Sequence, residues 1–242
     1  MIKVEEQLRQ LYRSINDQGR RRIRARQLEI DRRLRSPRPD SRRGLTLLGR
    51  LPAHVSRNIE FTLQQLVAIA PEQYYYPSPN LHITVMDLLA ARDGLRLSAK
   101  QFARYRAAVG KIVTTTPPIH WRLQGMIVSP GAVLVTGDYG PELAELRRRL
   151  RSELPALHLP VAERYPTISG HVTVARFTHP ISAPDRFLAA IKENAVTNYG
   201  HFTMHALDLV VHDWYNRQVE SCVRLPFAGM AVDFYPYLVQ NR

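Results

Sequence analysis

Asn80-Leu81-His82-Ile83-Thr84-Val85 decides how this chain is read, because a near copy, Ser169-Gly170-His171-Val172-Thr173-Val174, returns 89 positions later. In an extended strand, residues i and i+2 point to the same side. His82 and Thr84 therefore share one face, as do His171 and Thr173, while Ile83, Val85, Val172 and Val174 anchor the other. Each copy sets an imidazole beside a hydroxyl. A lone His-x-Thr in a strand is usually a packed or exposed histidine. Two copies in matching surroundings predict one site assembled from two halves of the chain.

The surroundings do match. Leu45 to Leu51 reads as a strand ended by Pro52, followed by a helix over about Ala53 to Ala68 and then the His82 strand. In the second half, Ala132 to Thr136 reads as a strand and Pro141 to Leu150 as a helix with proline in its first turn. The His171 strand comes next. Leu45 precedes His82 by 37 positions and Ala132 precedes His171 by 39. Ser98 is placed to cap a helix running to about Lys111, with a strand from Ile119 to Val128 after it. The later half answers with a helix over about Pro184 to Asn194 and a strand from Ala206 to Trp214. Pro130-Gly131 and Tyr215-Asn216-Arg217 supply turn signals, the second before a strand from Val219 to Leu225. Order and spacing predict a diverged duplication, about 45–128 and 132–226, within a domain spanning 44–242. Strands joined by hairpins and interleaved with helices predict an α+β fold. It is expected to be bilobal: two pseudo-symmetric lobes, each an antiparallel sheet with helices on its outer face, with the active-site groove between them.

Residues 1–43 stand apart as a basic, largely helical arm. Val4, Leu8, Leu11, Tyr12 and Ile15 fall at helical spacing. An arginine-dense stretch from Arg20 to Arg35 follows, and Ser36-Pro37-Arg38-Pro39-Asp40-Ser41 reads as a linker. The arm holds 14 Lys/Arg against 6 Asp/Glu, a balance of +8 in a chain of net charge +13. Such an excess favours polyanions. For the arm itself, an RNA-contacting helix and a solvated helix that merely packs are equally open, since charge runs are commonly only solvated faces.

No run approaches the roughly 20 apolar residues of a membrane span. Lys3, Glu5 and Glu6 leave no apolar region for a secretory signal. The single cysteine, Cys222, forms no internal disulfide and is expected as a buried strand residue, which fits a reducing cytoplasm. A monomer without membrane contact is expected.

Cleaving a phosphodiester needs a base for the attacking oxygen and an acid for the leaving one. Histidine suits both, with an ordinary pKa of about 6.5. Neighbouring hydroxyls can hold the non-bridging oxygens where charge develops. His82 and His171 are accordingly assigned as the acid–base pair, with Thr84 and Thr173 as phosphate donors. Which histidine is acid stays open. No metal or cofactor is required by this scheme. Arg176 could neutralise a phosphate, although strict alternation turns it away from His171 unless the strand bulges. Tyr76, before the first motif, and Phe177, on the His171 face, are candidates for stacking on a base. His201-Phe202-Thr203 is a third His-x-Thr outside the repeat, expected to be structural, and His201 with His205 makes at most a weak metal pair.

The chain resembles the 2H phosphoesterase superfamily, in its branch of LigT-like 2′-5′ RNA ligases and cyclic phosphodiesterases. That family carries two copies of His-x-Thr/Ser followed by an aliphatic residue, matched by His82-Ile83-Thr84-Val85 and His171-Val172-Thr173-Val174. Ser78-Pro79-Asn80-Leu81 and Ala175-Arg176-Phe177 fit the context, while Met86-Asp87-Leu88 departs from the small, aromatic and glycine residues common there. The likeness covers about Leu45 to Phe227. It implies metal-independent cleavage of a 2′,3′-cyclic phosphate or a 2′-5′ bond in RNA or an oligonucleotide. Two alternatives remain: hydrolysis of a small cyclic nucleotide or cyclic phosphate metabolite, and an RNA-end-binding module with little turnover.

Overall fold

The structure, a computed structural model, describes residues 2–230, with side chains from Glu5 onward. Val4 of the expected helical stripe and the last dozen residues of the expected 44–242 domain lie outside that description. Helix α1 spans Ile2–Arg24, well past the stripe read from the sequence. Strand β1 (Arg43–Arg50) and helix α2 (Ala53–Ile69) follow, separated at Pro52. Then come β2 (Tyr74–Tyr75), β3 (His82–Arg92), α3 (Ala99–Val113) and β4 (Ile119–Val128). The second half brings β5 (Ala132–Tyr139), α4 (Pro141–Ala156), β6 (Val172–Arg176) and α5 (Pro184–Glu193). It closes with β7 (Asn198–Met204), β8 (Ala206–His212) and β9 (Val219–Pro226).

Local chemistry sets several of these bounds. Ser98 and Gln101 form a reciprocal capping box that starts α3. Pro141 and Pro184 open α4 and α5 where a missing N–H costs nothing. The fold is α+β, with a curled, wholly antiparallel sheet ordered β7-β4-β5-β6-β3-β1-β8-β9 and the short β2 paired to β6. The lobes are β3-β1-β8-β9 and β6-β5-β4-β7, joined through the cross-strand pair Ile83↔Val172.

These lobes are not the two sequence repeats. Strand β4, the last of the first repeat, pairs with β5 and β7 in the second lobe. Strand β8, from the second repeat, pairs with β1 in the first. Helices exchange as well: α2 packs on β7 and α5, and α4 on β3 and α3. The turn at Ser129–Gly131 explains half of the exchange, since it folds β4 straight back onto β5 as a hairpin. Order and spacing along the chain do not reveal this crossing.

The arm is also not a free appendage. Leu8 and Tyr12 are buried against Ile127, Ala132 and Leu134, and Ile23 enters the main core. Gly19 lets α1 lie directly on β4, because a Cβ there would meet the Val128 carbonyl oxygen at 2.3 Å. Val133 and Val135 of β5 point to the main core, so Leu134 and α1 lie on the other face. That is the face of Thr173, which pairs with Leu134. Asp40, in the stretch read as a linker, is buried and holds the Arg42 guanidinium. Cys222 lies on β9 as expected but is exposed, because that strand forms the edge of the sheet and presents its outer face to solvent.

Candidate active site

Antiparallel pairing of Ile83 with Val172 places Thr84 opposite His171 and His82 opposite Thr173. Each imidazole thus neighbours the hydroxyl of the other motif as well as its own. The two histidines are diagonal neighbours, which in a regular antiparallel ladder stand about 7–8 Å apart, enough for a phosphate between them. All four side chains line one groove of about 450 Å³, together with Tyr76, Arg176, Asp87 and His212. The aliphatic partners Ile83, Val85, Val172 and Val174 are buried in the main core beneath it.

Each ring is held from behind by a different partner. His82 Nδ1 lies 2.7 Å from the Asn80 carbonyl oxygen, so it carries the proton and donates. In the neutral ring, Nε2 then has the free lone pair. His171 Nδ1 lies 3.0 Å from Ser169 Oγ, a hydroxyl that can donate to it or accept from it. Burial pushes both imidazoles down to about 4, with Arg176 and His82 adding to the effect on His171. Both rings are neutral near pH 7.

Arg176 does reach the groove. Pairing runs Ala132↔Arg176 and Val133↔Ala175 but then Leu134↔Thr173, a bulge in β6 at Val174. Val174 and Ala175 are both buried as a result, and Arg176 swings onto the histidine face. The same bulge overturns the expectation for Phe177. Its ring is fully buried and packs edge-on to Phe187 at 6.0 Å, so it is a core residue. Tyr76 lines the groove, but its ring is 4% exposed, packs on Tyr74, and its hydroxyl accepts from Arg176 Nε at 2.9 Å. It orients the arginine instead of offering a face to a base. His201 sits exposed on β7 at the edge of the second lobe, paired across from Arg122.

Several groups here carried no sequence signal. Arg147 of α4 is 2% exposed and spans both motifs: Nε donates to Val85 O at 2.7 Å and Nη2 to Ser169 O at 2.7 Å. No carboxylate lies within 4.0 Å of it among the described residues, and burial pulls it down to about 10, so it stays charged. Tyr12 of α1 donates to Gly137 O at 3.1 Å and accepts from Gly170 N–H at 3.0 Å, beside His171. Gly137 itself must lack a side chain, because a Cβ would meet Gly170 O at 2.1 Å. His212 packs edge-on to His82 at 6.2 Å and is driven down to about 3 by burial. Asp87, at the residue where the family pattern fails, lines the groove, accepts from Thr46 Oγ1 at 2.9 Å and is raised by burial. Only its place two residues beyond Val85, on the odd-numbered face, separates it from the histidine side, and strand irregularities in β3 remove that separation.

Two His-Thr pairs thus cross at the seam of a two-lobed antiparallel sheet, the arrangement expected of a 2H phosphoesterase. The profile of the 2′-5′ RNA ligase superfamily matches residues 52–216, and the chain belongs to that family. Among solved structures, TT0787 of Thermus thermophilus superposes with a TM-score of 0.54 at 16% identity, covering 75% of this chain and 97% of that one. LigT of E. coli, in its complex with 3′-AMP, gives 0.53 at 16% identity over 77% and 99%. A structure described as a phosphoesterase gives 0.52 at 17% identity over 77% and 99%. At these identities the likeness establishes the fold. No curated protein matches the chain in sequence. Family membership supports an enzyme acting on phosphodiesters. No helix among the described residues is long and apolar enough to cross a membrane.

Proposed function

We propose that the chain is a phosphodiesterase that opens a 2′,3′-cyclic phosphate or cleaves a 2′-5′ bond at the end of an RNA or oligonucleotide, using His82 and His171 as its acid–base pair without metal. The observation that carries this reading is the shared groove: both histidines, both threonines and Arg176 line one cavity. LigT of E. coli, which shares the fold, has been crystallised with 3′-AMP, a ribonucleotide of the product type.

His82 is the base. Its bond to the Asn80 carbonyl leaves Nε2 free to take a proton from the attacking water, and that same bond supports the positive charge the ring acquires. The water oxygen bonds to phosphorus as the P–O bond to the leaving hydroxyl breaks. His171 supplies the proton to that oxygen. Its low pKa comes from burial and from Arg176. A bound phosphate anion offsets Arg176 and lets the ring protonate. Thr84, Thr173 and Arg176 hold the non-bridging oxygens.

His82→Ala and His171→Ala should each lower kcat on a 2′,3′-cyclic nucleotide by about 10²–10⁴, while His201→Ala leaves it unchanged. An equal loss in all three variants refutes the assignment. Roles separate on an aryl phosphodiester, whose leaving group needs no acid. There His171→Ala should recover much of its rate and His82→Ala should not. Full activity should persist in EDTA.

A further inference from the structure

A second groove, of about 620 Å³, opens beside the histidine pair and shares Glu29, Ala91, Gly131, Arg164, Arg176 and Trp214 with it. Five arginines and two carboxylates, Glu29 and Asp31, line it. Its hub is Trp214, just beyond β8. The guanidinium carbons of Arg42, Arg164 and Arg176 stand 4.6, 5.2 and 5.5 Å from the centre of the indole. Three like charges around one ring repel each other, and their contact with the ring face offsets that only in part.

Counter-ions are unevenly supplied. Arg42 is clamped by the buried Asp40. Arg176 is held by the Tyr76 hydroxyl, and Asp31, a carboxylate whose charge acts on it, is itself engaged by the Tyr215 hydroxyl at 2.8 Å. Neither Arg176 nor the exposed Arg164 has an ion-pair partner within 4.0 Å among the described residues. The indole and the clamped Arg42 thus pre-order two uncompensated guanidiniums in a concavity continuous with the histidine groove. Guanidinium forks match phosphate oxygens. Because the two concavities are continuous, one ligand with a repeated phosphate fills both.

We propose that the Trp214 groove binds the phosphate next to the reacting one, so that the substrate is a single-stranded oligonucleotide rather than a mononucleotide. This rests on the phosphodiesterase reading of the histidine groove. Arg42, Glu29 and Asp31 precede residues 52–216, so the arm supplies part of a subsite that the matched family region does not contain.

Two measurements on the full-length protein test this. The first is turnover of a 2′,3′-cyclic mononucleotide and of a short oligonucleotide ending in a 2′,3′-cyclic phosphate. In Arg164→Gln, KM for the oligonucleotide should rise about tenfold more than KM for the mononucleotide. Equal changes on both substrates overturn the proposal. The second is anisotropy of a labelled pentauridylate 3′-phosphate over a KCl series. Arg164→Gln should flatten the slope of log K against log salt by about 0.7, the value for one phosphate contact on a single strand, and Arg164→Lys should keep it. An unchanged slope in Arg164→Gln overturns the proposal. Should the wild type turn over neither substrate while the slope still falls, the phosphate subsite stands and the catalytic assignment falls.

Discussion

The two motif strands carry the same residues but are supported in opposite ways. Strand β3 runs for 11 residues, is paired along β1, and holds His82 with a carbonyl from its own chain two positions away. Strand β6 runs for 5 residues, is interrupted by a bulge, and holds His171 with a serine hydroxyl. The backbone before His171 is fixed by two helices, through Tyr12 of α1 at Gly170 and Arg147 of α4 at Ser169. The two motifs share their residue types. Arg147 reaches the first motif as well, at Val85, so Tyr12 at Gly170 is the support that sets the second copy apart.

Arg147→Met should break that dependence most severely. It leaves the Val85 and Ser169 carbonyls without a donor in a buried place, a loss of roughly 2–5 kcal/mol. Urea unfolding measures it, and kcat should fall as well because both motifs are released at once. Arg147→Lys keeps a charge but not the fork and should lie between.

Acid should act unevenly on the two sides, because two of the three depressed rings, His82 and His212, belong to the first. Unfolded histidines take up protons below about pH 6.5, whereas the folded rings wait until about 4 for His82 and His171 and about 3 for His212. The unfolded state binds more protons in that window, so stability falls as pH drops, by roughly 1 kcal/mol per pH unit for each ring. The pH dependence of unfolding free energy should lose one proton of slope in His212→Asn. A flat profile between pH 6.5 and 4 would contradict the enclosure of these rings.

Tyr12→Phe should cost about 1–3 kcal/mol by orphaning the Gly170 N–H, with a fall in kcat. The corresponding change beside His82, Asn80→Ala, leaves the backbone carbonyl in place and should spare the ring. Ser169→Ala should have the smallest effect, a few-fold loss in kcat with unfolding unchanged, and a shift in the pH–rate limb that reports His171.

The juxtaposition was legible in the sequence where the pattern repeats and alternation holds: His82, Thr84, His171 and Thr173 were expected together, and all four line one groove. Most strands and helices were legible from prolines, caps and turn residues, with β4 predicted at Ile119–Val128 as observed. The bulge at Val174 was not legible. It inserts one residue into the period-two count, which brings Arg176 in and sends Phe177 to the core. Arg147 and Tyr12 were hidden for another reason. A helical arginine and a stripe tyrosine look alike whether they meet solvent, core or a distant backbone, and only the strand and helix exchange decides which.

That exchange also governs how the protein can be made. Strand β1 waits for β8, with Leu47 opposite Leu209, 162 positions downstream. Contacts of such long range are slow to form, since loop closure precedes any reward. A nascent chain released up to the end of β4 would hold an open sheet edge on β1 and an unpartnered β4. Cutting the chain between the repeats should therefore give two fragments that fold only together.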